Sequence, residues 1–120
     1  MGHVTGIGGI FFRARDPAAL GDWYLRHFGI TPPGQDIWHQ QAGPTVFSPF
    51  AQDSDYFAAD KAWMLNLRVQ GLGEMIATLQ AAGIPVETRA DWDGDGSYGH
   101  FARIHDPEGN PIELWEPPAA

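Results

Sequence analysis

A chain that repeats itself must fold as copies of one small unit, and this sequence repeats itself once. Ile7 to Arg15 reads as a strand of β-branched and aromatic residues with glycine before it. Asp16-Pro17 then supplies an N-cap residue and a proline suited to the first helical position. Ala18 to Phe28 carries Leu20, Trp23, Tyr24 and Phe28 at helical spacing, and Gly29 ends the run. The order returns later: Trp63 to Val69 reads as a strand, Leu72, Met75, Ile76 and Leu79 mark a helix, and Gly83 stops it. Arg68 lies 55 residues after Arg13, and Gly83 lies 54 after Gly29. The remainder predicts strands around Asp36 to Gln41 and Pro44 to Phe50, then at Val86 to Arg89, Tyr98 to His105 and Pro111 to Glu116. Asp106-Pro107-Glu108-Gly109-Asn110 supplies the turn chemistry between the last two. The expected fold is α+β: two βαβββ modules forming a curved mixed sheet with helices outside.

Composition narrows the function. At 120 residues the chain is one domain (1–120), with module one at about 5–50, a linking loop at about 51–61 and module two at about 62–117. Such a length buries roughly two thirds of its unfolded surface without disulfides. Gly (15) and Pro (10) favour many turns and short elements. Fifteen acidic against seven basic residues give a net charge of −8, so neither nucleic acid nor an anionic membrane is an expected partner. The absence of cysteine removes disulfides, thiolate nucleophiles and thiolate metal sites. No secretory signal or apolar run of about 18 residues is visible, so a cytoplasmic protein is expected.

The repeat, together with particular motifs, carries a resemblance. Gly9-Ile10-Phe11-Phe12-Arg13-Ala14-Arg15-Asp16-Pro17, Trp23-Tyr24, Phe28-Gly29 and Leu79 to Ile84 occur in the order and spacing of the vicinal oxygen chelate superfamily. Asp106 to Glu116, reading DPEGNPIELWE, is the most specific piece. That superfamily includes glyoxalase I, extradiol dioxygenases and bleomycin-resistance proteins. The resemblance covers nearly the whole chain and implies a cup whose concave face binds a small molecule, with two chains pairing as a homodimer.

Strand alternation separates the two faces. Ile10, Phe12, Ala14, Leu65, Leu67, Val69 and Leu114 belong under the helices. Phe11, Arg13, Met64, Asn66, Arg68, Glu113 and Trp115 belong on the cup side, unless that face is merely a sheet–sheet or dimer core. Metal-dependent members of the superfamily take one ligand from the first and last strand of each module. Carried onto this chain, those positions are Gly9, Thr45, Met64 and Glu113. One carboxylate beside a glycine, a threonine and a thioether does not hold a catalytic divalent ion, so no metal and no other cofactor is expected.

Glu113 therefore needs another role. If His105 pairs with Pro111, Arg103 lies across from Glu113 and Phe101 across from Trp115. An Arg103–Glu113 ion pair would keep the carboxylate ionised, as a structural remnant or, alternatively, as a catalytic base. Trp38 and His39 fall in a short strand bordering the cup, and Phe47 adds a further aromatic wall. His3, His27, His100 and His105 have ordinary surface or helix-end explanations.

Asp91-Trp92-Asp93-Gly94-Asp95-Gly96 half-matches a calcium loop, but Ala102 stands where the bidentate glutamate belongs, and an acidic connection explains the same residues. Tyr56 and Phe57, in the linking loop, suit either a lid or dimer contacts. Two functions follow: a metal-free binding protein with an aromatic-lined site (Phe11, Trp38, Phe47, Phe101, Trp115), or a glyoxalase-like lyase, isomerase or dioxygenase-related enzyme using Glu113 or His39 as base.

Overall fold

The computed structural model describes residues 1–32, 34 and 37–119. Helix α1 runs Pro17–Phe28, with the Asp16 carboxylate accepting from the Ala19 amide at 3.1 Å. Gly29, at φ 70°, closes it in the left-handed conformation that a side chain resists, donating to the Leu25 carbonyl at 3.0 Å. Helix α2 (Leu72–Ala81) buries Leu72 and Leu79, as α1 buries Leu20 and Tyr24. A four-residue helix α3 (Ala90–Asp93) follows where the sequence suggests only a connection.

Both longer helices start against a glutamate from the C-terminal hairpin. Glu108 accepts the Arg15 and Asp16 amides at 2.6 and 3.0 Å, just ahead of α1. Glu116 accepts the Gly71 and Leu72 amides at 3.0 and 3.1 Å at the start of α2. Each carboxylate satisfies amides that have no partner inside the helix and sits at the positive end of its dipole.

Three strands make one mixed sheet: β1 (Leu65–Arg68), β2 (His100–His105) and β3 (Pro111–Glu116), in the order β1-β3-β2. Central β3 is parallel to β1 and antiparallel to β2. Glu87 adds one antiparallel bridge to Arg103 on the far side of β2, at 2.9 and 2.8 Å. Because paired residues share a face, Leu65, Leu67, Ala102, Ile104, Ile112 and Leu114 all turn toward the helices. Ile104, Ile112 and Leu114 are at most 1% exposed and form the centre of the core with Leu20, Tyr24, Leu72 and Leu79. At the hairpin turn, buried Asp106 accepts from the Asn110 side chain, the Glu108 and Asn110 amides, and the Tyr24 hydroxyl at 2.7 Å. That last contact joins α1 to the sheet.

The described chain is thus a small α+β domain with a three-stranded mixed sheet and three helices. The second half follows the expected order, except that the strand expected at Val86 to Arg89 shrinks to the Glu87 bridge and α3 intervenes. The first half differs. Only α1 forms there among the described residues, and 7–15, 37–41 and 44–50 join no ladder, while Asp36 lies outside the described residues.

The physical reason is that a strand gains little until its amides and carbonyls find a partner edge, and Gly8, Gly9, Pro44 and Pro49 thin these segments of strand formers. Their attachment is by side chains instead. Phe12 packs on Trp63 and Tyr24 at centroid distances of 5.1 and 6.4 Å, and the Arg68 guanidinium donates to the carbonyls of Gln41 and Pro44 at 2.6 and 2.5 Å. Gly43 permits that approach, since a Cβ there would lie 2.7 Å from the guanidinium carbon. No described helix is long and apolar enough to cross a membrane.

Candidate functional site

The face of the sheet turned away from the helices carries the chemistry. Asn66 and Arg68 on β1 pair with Glu113 and Trp115 on β3, which pair in turn with Arg103 and Phe101 on β2. These six side chains share one face by register alone. Glu113, 8% exposed, is at its centre. Its Oε1 accepts from Asn66 Nδ2 at 2.7 Å, and its Oε2 accepts a short hydrogen bond from the Tyr56 hydroxyl.

Tyr56 reaches this face from the segment linking the two halves of the chain. Ser54 Oγ accepts its amide at 3.2 Å, and Phe50 packs on both Tyr56 and Phe57 at 5.6 Å. Burial, followed by the Glu113 hydrogen bond and charge, pushes the Tyr56 phenol up to about 12, so it stays a donor at neutral pH.

Arg103 is 6% exposed and lies beneath the same residue. Its guanidinium carbon sits 4.9 Å from the Tyr56 ring centroid and 5.3 Å from that of Trp92, and Nη2 donates to the Tyr56 carbonyl at 3.1 Å. Among the described residues its buried Nε has no hydrogen-bond partner. A cleft of about 410 Å³ lies between Arg103 and residues 53–59. Beside this group, Phe101 and Trp115 stack at 6.4 Å with an interplanar angle of 8°, and Trp115 Nε1 donates to the Tyr98 carbonyl at 2.7 Å.

The expected hairpin register is the observed one: His105 faces Pro111, Arg103 faces Glu113 and Phe101 faces Trp115. The expected ion pair is not formed. Among the described residues Arg103 belongs to no ion pair, because Asn66 and Tyr56 occupy both Glu113 oxygens and the rings of Tyr56 and Trp92 lie against the guanidinium. Arg68 is on the expected face but spends its guanidinium on the carbonyls of Gln41 and Pro44. Met64 is half-buried just ahead of β1. Phe11, Arg13, Trp38, His39, Thr45 and Phe47 are exposed, and they lie on segments that make no strand.

Of Gly9, Thr45, Met64 and Glu113, only Glu113 enters the cluster, and among the described residues no three His, Cys, Asp or Glu side chains gather as a metal site. Asp93 and Asp95 make contacts within the segment leading to β2. Asp93 accepts the Phe101 amide at 3.1 Å and meets His100 Nδ1 at 2.8 Å, while Asp95 accepts the Ser97 amide at 2.9 Å.

The cluster includes two residues that strand alternation could not supply. Tyr56 is signalled only by aromatics within an acidic linker, and Trp92 by nothing beyond its place in the half-matched loop. Chemically, the arrangement offers a carboxylate held by two donors, a guanidinium with a spare donor and several aromatic rings. Two hydrogen bonds, from Asn66 and Tyr56, engage both Glu113 oxygens as acceptors. No protein-family model matches the chain, and no curated protein matches it.

Proposed function

We propose that the protein binds a small molecule without a metal, as a member of the vicinal oxygen chelate superfamily of the glyoxalase and bleomycin-resistance type. The observation that carries this reading is the gathering of Asn66, Arg103, Glu113 and Tyr56, among aromatic rings, on one face of the sheet. Binding sites of this kind combine apolar walls with a few placed polar groups. The 55-residue offset and the strand–helix–hairpin order of residues 62–117 support two related modules, with 7–15 and 44–50 as the strand-forming segments of the first.

The same reading makes the protein a homodimer. Phe11 and Phe47 are 95% and 86% exposed on segments that, among the described residues, have no ladder partners, and among those residues β1 leaves one edge of the sheet unpaired. A small molecule and a second copy, rather than nucleic acid or a membrane, are the partners that suit a net charge of −8.

One observation favours an enzyme as the second reading. The Tyr56–Glu113 contact couples a phenol to a carboxylate, a pair through which a proton can pass during lyase or isomerase chemistry. A thermal-shift screen with bleomycin, glyoxalase substrates and aromatic metabolites, run beside turnover assays, separates the two. Stabilisation without turnover supports binding. Turnover that Glu113→Gln abolishes supports the enzyme, and no stabilisation by any compound, with no turnover, refutes both.

A further inference from the structure

Arg103 presents a problem of charge balance. Guanidinium groups are almost never fully buried without an acidic partner, because desolvation costs more than neutral contacts return. Here the side chain is 6% exposed and, among the described residues, forms no ion pair, because the buried Glu113 carboxylate across from it is engaged by Asn66 and Tyr56. Aromatic rings lie against it, at 4.9 Å from Tyr56 and 5.3 Å from Trp92, so an added partner must meet its donor edge. On that edge Nη2 donates to the Tyr56 carbonyl, and buried Nε has no acceptor among the described residues. An unmet buried donor is costly unless an acceptor arrives.

The same side chain also lines an open cleft. The cleft of about 410 Å³ that Arg103 lines falls within the roughly 300–1,000 Å³ range of small-molecule sites. Its other walls are Asp53, Ser54, Asp55, Tyr56, Phe57 and two alanines. Asp53 and Asp55 are exposed residues, so two carboxylates border the cleft whose base is a cation. A plain anion suits the base and is repelled by the border, and a plain cation suits the border and is repelled by the base. A molecule carrying both charges satisfies both, and Tyr56 and Phe57 offer it apolar surface.

We propose that this cleft binds a small zwitterion of the α-amino-acid type, its carboxylate on Arg103 and its ammonium toward Asp53 and Asp55. The proposal rests on the small-molecule reading above and names its ligand class. Carboxylate–guanidinium recognition is charge-assisted and directional, which makes Arg103 the residue that selects.

The test is a calorimetric titration of the full chain with the common free amino acids, each binder being compared with its N-acetyl and carboxamide derivatives. At least one free amino acid should bind, and both derivatives should bind at least about tenfold more weakly, the loss expected for one charge-assisted contact. Arg103→Met should weaken the free amino acid at least about tenfold. Circular dichroism checks that the fold survives the loss of the Arg103 contact with the Tyr56 carbonyl. Arg103→Lys, which keeps the charge and lacks the fork, should weaken it as well. Asp53→Asn with Asp55→Asn should erase the preference over the N-acetyl form.

Binding of carboxamides as tightly as the free acids, or wild-type affinity in both Arg103 variants, overturns the proposal. If neutral aromatics bind and no amino acid does, the ligand class is wrong and the binding function stands. If no amino acid binds and no compound of the thermal-shift screen binds either, both fall.

Discussion

Glu113 and Tyr56 show how one residue can set the character of a surface. A carboxylate in the middle of a central strand is tolerated because Asn66 and Tyr56 both donate to it. The phenol's raised value has a consequence for stability. Folding holds the Tyr56 proton more tightly than the unfolded chain does, so its contribution is complete below an ordinary phenol's value of about 10 and is lost as pH rises through about 12. Tyr56→Phe should therefore show a flatter decline in unfolding free energy between those pH values than the wild type does. Urea melts at stepped pH measure this, and parallel declines would remove Tyr56 from the cluster.

Asp106 is the other buried carboxylate with a full set of donors, at 4% exposure. Asp106→Ala leaves the Tyr24 hydroxyl and three donors of the turn without their acceptor. It should cost about 3 kcal/mol or more in a chemical denaturation, and a loss under about 1 kcal/mol would contradict the role given to it. At this scale the sequence was legible where alternation governs: Glu113, Arg103, Asn66 and Trp115 follow from counting along strands. Tyr56 does not, because a linker has no period that fixes where its side chains land.

Elements were legible in proportion to how local their causes are. Asp16, Pro17 and Gly29 bound α1 because capping is settled within a turn of helix, and the observed span Pro17–Phe28 follows from them. The β2–β3 hairpin was legible too, since its turn chemistry fixes its register. Strands at 7–15 and 44–50 depend on a distant edge, which no local pattern provides.

Gly99 shows the same dependence in one position. It lies just before β2 at φ +99°, and a Cβ there would come within 2.0 Å of the Glu116 carbonyl oxygen. Strand β3 is what excludes a side chain, so the requirement is invisible until the two strands are paired. Gly99→Ala should cost about 3 kcal/mol or more through backbone strain and collision with a main chain that cannot yield. A thermal melt matching the wild type would show that the ends of β2 and β3 lie farther apart.

At the scale of the whole molecule, the radius of gyration of 15.2 Å exceeds the roughly 13.6 Å expected for a compact chain of this length. The excess accompanies first-half segments whose apolar residues, Val4, Phe11, Ile37, Val46 and Phe47, remain mostly exposed. A second copy of the chain would cover them. Light scattering should therefore give twice the 13.2 kDa chain mass, and Phe11→Asp with Phe47→Asp should return it to one chain. A wild-type monomer at high micromolar concentration would count against the pairing.

The polar face of the sheet is where the protein is proposed to act, and amide chemical shifts in nitrogen-15-labelled protein test that most directly. Titrated with the strongest binder from the thermal-shift screen, the amides of Tyr56, Asn66, Arg103 and Glu113 should move together and saturate. Shifts confined instead to the opposite side, around Trp23, Arg26 and Pro107 at the cleft beside α1, would place binding elsewhere and contradict the proposed site.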